Sequence, residues 1–269
     1  MSAPLAARLA ALLDAGRPVA VLRVAVAEGS TPREAGATML VSTDGAFGTI
    51  GGGQLEFHAI DRARAMLADG RAAETLSLAL GPALGQCCGG RVTVEIARAD
   101  RAALAALAER EARARDARPH ALVFGAGHTG RALSCALAPL PLAVTLVDDR
   151  EGVLDGLPAE VAMARLDDPG LALAAAPAGA AFVALTHSHA LDYRLVDMAL
   201  RRGDAAYVGM IGSATKRARF AASFRASGGT EAALARLTCP IGGADVRDKR
   251  PEVIAALAAA EIVRATAAR

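Results

Sequence analysis

Hydrophobic positions along the chain change period several times, and each change marks an element. From Met1 to Asp14 the apolar residues recur at helical spacing, whereas Pro18 to Val26 is a near-continuous apolar run that reads as a buried strand. A loop dense in turn formers, Glu28 to Gly36, separates it from a second strand, Ala37 to Ser42. Thr43-Asp-Gly45 then predicts a hairpin returning through Ala46 to Ile50. Three consecutive glycines, Gly51, Gly52 and Gly53, lead into a helical run from Leu55 to Ala68 that opens with Gln54 and Glu56. Strands follow at Glu74 to Leu80 and Arg91 to Ala97, joined by Leu84-Gly-Gln-Cys-Cys-Gly-Gly90. Consecutive glycines carry an entropic cost, so these loops imply backbone that must approach something closely.

A charged helical stretch from Asp100 to Ala117, ending before Pro119, reads as a connector. Beyond it the pattern alternates. Ala121 to Phe124 is a strand, Gly125 to Gly130 a glycine turn into a helix, and Leu142 to Asp149 a strand. Ala159 to Ala164, Ala180 to Thr186 and Ala205 to Val208 are further strands, with helices at Asp168 to Ala176, Leu191 to Arg202 and Ser213 to Ala226. Strand and helix in strict rotation predict a parallel, doubly wound sheet. The segment Thr238 to Gly243 reads as a loop, and Pro251 to Thr266 as a closing helix with proline in its first turn. The expected architecture is α/β: an N-terminal α+β domain with a mixed sheet over 1–99, a helical connector over 100–118, and a Rossmann-like domain over 119–269.

Composition narrows the function classes. The 269 residues are 53% hydrophobic and 22% charged, with a net charge of +2, which describes a globular chain without the basic field that nucleic acid requires. No segment resembles a signal peptide or a membrane span, so a cytoplasmic location and no membrane partner are expected. Four cysteines, two of them adjacent, make no disulfide framework and leave thiols available for chemistry.

The candidate chemistry lies in the loops. Gly125 permits the tight bend, Gly127 removes a Cβ that would block a ligand, and Gly130 lets the helix pack on the strand, so amides point at an anion. Asp148, at the end of the next strand, has the spacing of a ribose-binding acid, and His128 lies within the turn. Gly209, Gly212, Ser213 and Lys216 offer a second phosphate cradle or, equally, a capped helix. Cys87 and Cys88, between glycines, suit a reachable thiolate, while Cys135 is expected in the core. His187 and His189 follow a strand's carboxyl end, where such folds hold ligands; two histidines alone make a poor zinc site.

Several stretches, in this order, resemble one family: Gly29-Ser-Thr-Pro-Arg-Glu-Ala-Gly-Ala-Thr-Met-Leu-Val41, Gly51-Gly-Gly-Gln-Leu-Glu56, Gln86-Cys-Cys-Gly-Gly-Arg-Val92, Val123-Phe-Gly-Ala-Gly-His-Thr-Gly130, Val147-Asp-Asp-Arg150, Thr186-His187 and Gly209-Met-Ile-Gly-Ser213. They are similar to the XdhC/CoxI family, and the resemblance covers nearly the whole chain. It implies an accessory protein, not itself a redox enzyme. Such a protein binds the molybdenum cofactor (Mo-molybdopterin), holds it while a cysteine desulfurase supplies the terminal sulfido ligand, and delivers it to the molybdenum subunit of xanthine dehydrogenase. The family's cysteine pair falls on Cys87 and Cys88, which the resemblance places near molybdenum, and the glycine turns match as backbone cradles. Gln54 stands where many relatives on the CoxI side carry a cysteine. Self-association as a dimer is expected by the same analogy. A nucleotide at the glycine turn, and with it an NAD(P)-dependent oxidoreductase, stands as the alternative.

Overall fold

The computed structural model describes residues 4–80, 89–243 and 245–267. The chain divides into two compact units, Met1–Asp116 and Ala117–Arg269. In the first, strands β1 (Val19–Glu28), β2 (Thr38–Ser42), β3 (Ala46–Gly48), β4 (Ala73–Ala79) and β5 (Arg91–Arg98) form one sheet in the order β3-β2-β1-β5-β4. Every pairing in it is antiparallel, so the mixed sheet expected of this half is corrected to an antiparallel one. The β1–β2, β2–β3 and β4–β5 neighbours are consecutive in the chain, which favours antiparallel pairing because parallel pairing needs a long crossover, and β5 returns to lie antiparallel beside β1.

Helix α2 (Gly53–Ala68) buries Leu55, Ala59, Ala63, Met66 and Leu67 on one face of this sheet, against Leu22, Val24, Met39, Val94 and Ile96. Helix α1 (Leu5–Asp14) covers residues of the opposite face, its Leu9 and Leu12 meeting Val19 and Leu40. Helix α3 (Arg101–Asp116), the stretch expected to be a connector, also packs here through Leu107 and Leu104. Its Glu111 accepts from the Ala6 amide at the start of α1, so it caps that helix as well as leading out of the unit.

The second unit is a six-stranded parallel sheet of β6 (His120–Phe124), β7 (Ala143–Asp148), β8 (Val161–Arg165), β9 (Ala181–Ala184), β10 (Tyr207–Met210) and β11 (Leu237–Thr238), in the order β11-β10-β9-β6-β7-β8. Counted within the unit this is the order of dinucleotide-binding folds, with the direction of winding reversing between β6 and β9. Alternation along each strand feeds two cores. Ala121 and Val123 of β6 pack with α4 (His128–Leu137) and α9 (Pro251–Ala267), while Leu122 and Phe124 pack with α5 (Gly170–Ala175), α6 (His189–Arg202), α7 (Ala214–Ala226) and α8 (Glu231–Leu234).

Three departures from the predicted elements have local causes. No helix joins β7 to β8, because Gly152 and Gly156 at φ +71° and +74° break the run. Arg131 of α4 ties that segment down by donating to the carbonyls of Val153 (2.8 Å) and Asp155 (2.6 Å). The two-residue strand β11 and the single turn α8 are too short to carry a periodic signal. Cys135, expected in the core, is exposed; the buried face of α4 is Gly130, Leu133, Ser134 and Leu137, and position 135 falls off that stripe.

Candidate functional site

Three loops gather at one end of the antiparallel sheet, where β1 ends and β5 begins. A Cβ on Gly90 would lie 2.4 Å from the Ser30 carbonyl oxygen, and one on Gly51 would lie 2.5 Å from Pro32 Cγ. The Gly29–Gly36 loop is thereby pressed against both the triple glycine and the described ends of the segment between β4 and β5, to which Gln86, Cys87 and Cys88 belong. Those ends are joined by the Leu80 amide donating to Gly90 O and the Gly89 amide to Leu80 O, each 2.7 Å. Gln86, Cys87 and Cys88 themselves lie outside the described residues.

The triple glycine holds an anion of its own. Glu56 Oε2 accepts from the amides of Ile50 and Gly52, both 3.1 Å, and from the Thr49 hydroxyl at 2.6 Å. A carboxylate one turn into the helix thus satisfies amides that the helix itself leaves unpaired. Gly52 (φ +72°) has no protein atom within 4 Å of a Cβ position, and Gln54 is exposed beside it.

In the second unit the glycine turn lies at the switch point between β6 and β9. Its three glycines have different reasons for being glycine. At Gly125 (φ +111°) a Cβ would lie 2.3 Å from the Leu185 carbonyl oxygen, and at Gly130 it would lie 1.8 Å from the Gly125 carbonyl oxygen. Both are forced by contact with backbone. Gly127, with φ −68° and ψ 179°, has a conformation open to any residue and no protein atom within 4 Å of its Cβ position. Nothing in the fold itself requires glycine there, which leaves room above the start of α4 for a ligand. His128, the first residue of α4, is exposed beside that space.

Asp148 is 3% exposed and fully engaged. Its Oδ2 accepts from the Ala126 amide (2.6 Å) and Arg150 Nη2 (2.9 Å), and its Oδ1 from the Arg150 amide and Nε (both 2.9 Å). It fastens the glycine turn to β7 instead of presenting a free carboxylate to a ribose. Burial alone would raise its carboxyl, but the hydrogen bonds from Arg150 and Ala126 outweigh that and hold it well below the usual carboxylate range. The carboxylate that remains accessible is the next one: Asp149 Oδ1 lies 3.8 Å from Nδ1 of His187, which follows β9 on the other side of the turn.

Because the Asp148 carboxyl titrates lower in the folded chain than in the unfolded one, its stabilisation is fully present above the unfolded value of about 4. It is lost as pH falls through the folded value. The Asp148→Asn variant is therefore expected to be about 1–3 kcal/mol less stable at neutral pH, with a flatter acid limb in a stability–pH series. Equal acid limbs in the two proteins would show that the pair contributes nothing.

The second phosphate cradle offered by the sequence is also used internally. Lys216 Nζ donates to Asp192 Oδ2 (2.5 Å) and to the Ile211 carbonyl (2.8 Å), and Asp192 Oδ1 accepts from the Thr186 amide (2.8 Å). Asp192 is fully buried and the Lys216 side chain 11% exposed. The lysine that sequence offered to a phosphate instead ties the loop after β9 to the loop after β10. Gly212 makes room for it, since a Cβ there would lie 2.6 Å from Lys216 Cδ. Gly209 accommodates Tyr207, whose Cε1 would be 2.5 Å away, and Ser213 Oγ caps α7 by accepting from the Lys216 amide. His187 and His189 are both exposed, and no cluster of three or more metal-ligating side chains exists among the described residues.

Two family models match the chain in order: the XdhC and CoxI family over residues 12–79 and the XdhC Rossmann domain over residues 121–262. The chain belongs to the XdhC/CoxI family. An uncharacterised Escherichia coli (strain K12) protein, YqeB, is 28% identical over 257 residues, covering 92% of this chain and 43% of that protein. The chain thus spans less than half the length of that curated relative. A crystal structure of a xanthine dehydrogenase from Bacillus halodurans shares the fold, with a TM-score of 0.78 and 16% identity over 98% of this chain and 96% of that one.

Two side chains that organise these loops are not read as site residues from the sequence, although Arg150 closes the Val147-Asp-Asp-Arg150 stretch. Asp192 falls on the apolar stripe of α6 with Leu195, Val196 and Ala199, and a carboxylate on such a stripe signals a buried partner. Arg150 follows a strand-end acid by two residues, a spacing with no periodic signature. Among the described residues no helix is long and apolar enough to cross a membrane.

Proposed function

We propose that this protein is an accessory factor in xanthine dehydrogenase maturation, which binds the molybdenum cofactor as cargo, holds it during sulfuration by a cysteine desulfurase, and passes it to the dehydrogenase. Family membership across both units carries this reading. The chemistry of the loops is compatible with it. The cargo presents a phosphate, a polar heterocycle and a soft metal, which call for an open amide turn, polar edges and a thiolate. The turn at Gly127 supplies the first. Cys87 and Cys88 supply the last, in the segment between β4 and β5 whose described ends, Leu80 and Gly89, are joined beside the Gly29–Gly36 loop.

The test is purification of the full chain from a host that makes the cofactor, followed by assay of molybdenum and of the oxidised pterin's fluorescence. Near-stoichiometric amounts of both are expected. Cys87→Ala and Cys88→Ala should lower retention several-fold while leaving the circular dichroism and melting temperature unchanged; full retention in the double variant would assign both thiols to other roles. A second reading, an NAD(P)-dependent oxidoreductase, draws on the strand order and on the Asp149–His187 pair beside the turn. Stoichiometric nicotinamide binding with hydride turnover and no molybdenum would favour it over the carrier.

A further inference from the structure

The cradles around Glu56 and Lys216 are filled by the protein's own charges, whereas elsewhere on the C-terminal unit cations are left over. A pocket of about 710 Å³ opens at the carboxyl edge of the parallel sheet, between the loops after β10 and β11 and the first turn of α9. That volume is within the range of roughly 300–1,000 Å³ that suits a small organic ligand. Its apolar wall includes Ile211, Ile241 and Ile254, and Ser213, the cap of the 13-residue helix α7, brings the positive end of that helix to the lining.

The rim carries Arg247, Asp248 and Lys249. Asp248 is paired with Arg250, whose Nη2 lies 2.6 Å from Oδ2, and its carboxyl is held below the usual range by that guanidinium. Asp245 lies outside the lining, against Gly243. Arg247 and Lys249 have no carboxylate partner among the described residues, and both are exposed. The chain has only two lysines, one committed to the buried Asp192 and the other placed at this rim. An apolar wall under two uncommitted cations and a helix N-terminus is complementary to a flat ring bearing a phosphate.

We infer that this pocket is a binding site for a phosphorylated heterocycle, with the ring against the isoleucine wall and the phosphate at Arg247 and Lys249. The same chemistry is offered by a nucleotide and by a pterin phosphate. The inference rests on the pocket and not on the carrier reading, so the two can fail separately.

Isothermal titration of the full chain with ADP, and separately with molybdopterin released anaerobically from a molybdoenzyme, tests it. At least one of the two should bind at one site per chain. The Arg247→Ala/Lys249→Ala double variant should weaken that binding by roughly tenfold to a hundredfold, as expected for lost charge-assisted contacts. Val246→Asp, which sets an acid at an exposed position of the same lining, should weaken it in the same direction while both cations remain. Binding of ADP by a chain that purifies without molybdenum keeps the pocket and removes the carrier reading; binding of the pterin alone identifies the occupant as the cargo. Absence of binding by both ligands, or affinity unchanged in both variants, would overturn the assignment.

Discussion

Replacing Gly130 with alanine is expected to cost about 3 kcal/mol or more in the stability of the C-terminal unit. The new methyl would lie 1.8 Å from the Gly125 carbonyl oxygen and 2.7 Å from Leu185 Cδ1. The first obstacle is backbone, and it cannot swing aside. Gly125 is held by its amide's 2.8 Å bond to Val147 O and by its close approach to Leu185 and Thr186, so relief requires moving α4 off the sheet or breaking the turn. Overpacking of a well-filled site costs about 1–3 kcal/mol when side chains alone must adjust, and a backbone clash belongs at or beyond the upper end. Gly127→Ala is the matched control. Its backbone is already extended at ψ 179° with open space at the Cβ position, so only the poorer capping of α4 by alanine, about 1 kcal/mol, is expected. Denaturant melts monitored with hydrogen exchange over α4 would separate the two, since a two-unit chain need not unfold in one step. Equal stability of the two variants would mean that the turn is far more pliable than its contacts indicate. Gly127→Ala should still weaken any anion bound at the turn.

Lys216→Met is expected to have a comparable effect by a different route. The substitution keeps most of the stem that crosses Gly212 and removes only the ammonium, leaving Asp192, fully buried, with one oxygen facing no cation. Breaking a buried pair from one side costs about 3–5 kcal/mol, because a desolvated charge is left uncompensated. Asp192→Asn in the same chain should recover a large part of that loss, since the amide oxygen can still accept from Thr186 without a charge to bury. A double-mutant cycle measured by chemical denaturation reads the coupling directly. Additive losses, with no recovery in the double variant, would show that the lysine acts through its stem alone. Because the pair joins the loop carrying Thr186 and His187 to the loop carrying Ile211 and Ser213, hydrogen exchange in both loops should rise together in Lys216→Met.

These contacts show which parts of the site were readable in advance. The glycine turn was, because the demand for a missing Cβ at Gly125 and Gly130 is local and recurs wherever a strand turns into a helix at close quarters. The distinction among its glycines was not: whether a Cβ meets backbone, as at Gly130, or open space, as at Gly127, depends on Leu185 and on the fold of the turn itself. The spacing of Asp148 suits a ribose ligand, yet its oxygens are taken by Ala126 and Arg150. Charge partners of this kind leave no periodic trace, and neither does the rim of the pocket, whose Arg247 and Lys249 fall in no periodic element.

The sequence by itself determined the elements and the class of each unit, since burial of an apolar stripe depends on spacing along the chain and spacing is visible in it. It could also carry family membership, because seven short motifs in order are a one-dimensional signal. Tertiary structure alone decided that the N-terminal sheet is antiparallel throughout, that α3 packs beside α1, and that Glu56 and Asp192 consume two of the predicted anion sites. The physical reason is the same in each case. Strand partners and ion pairs are chosen by proximity in space, and a carboxylate's availability depends on what stands within about 3 Å of it, which spacing along the chain does not encode.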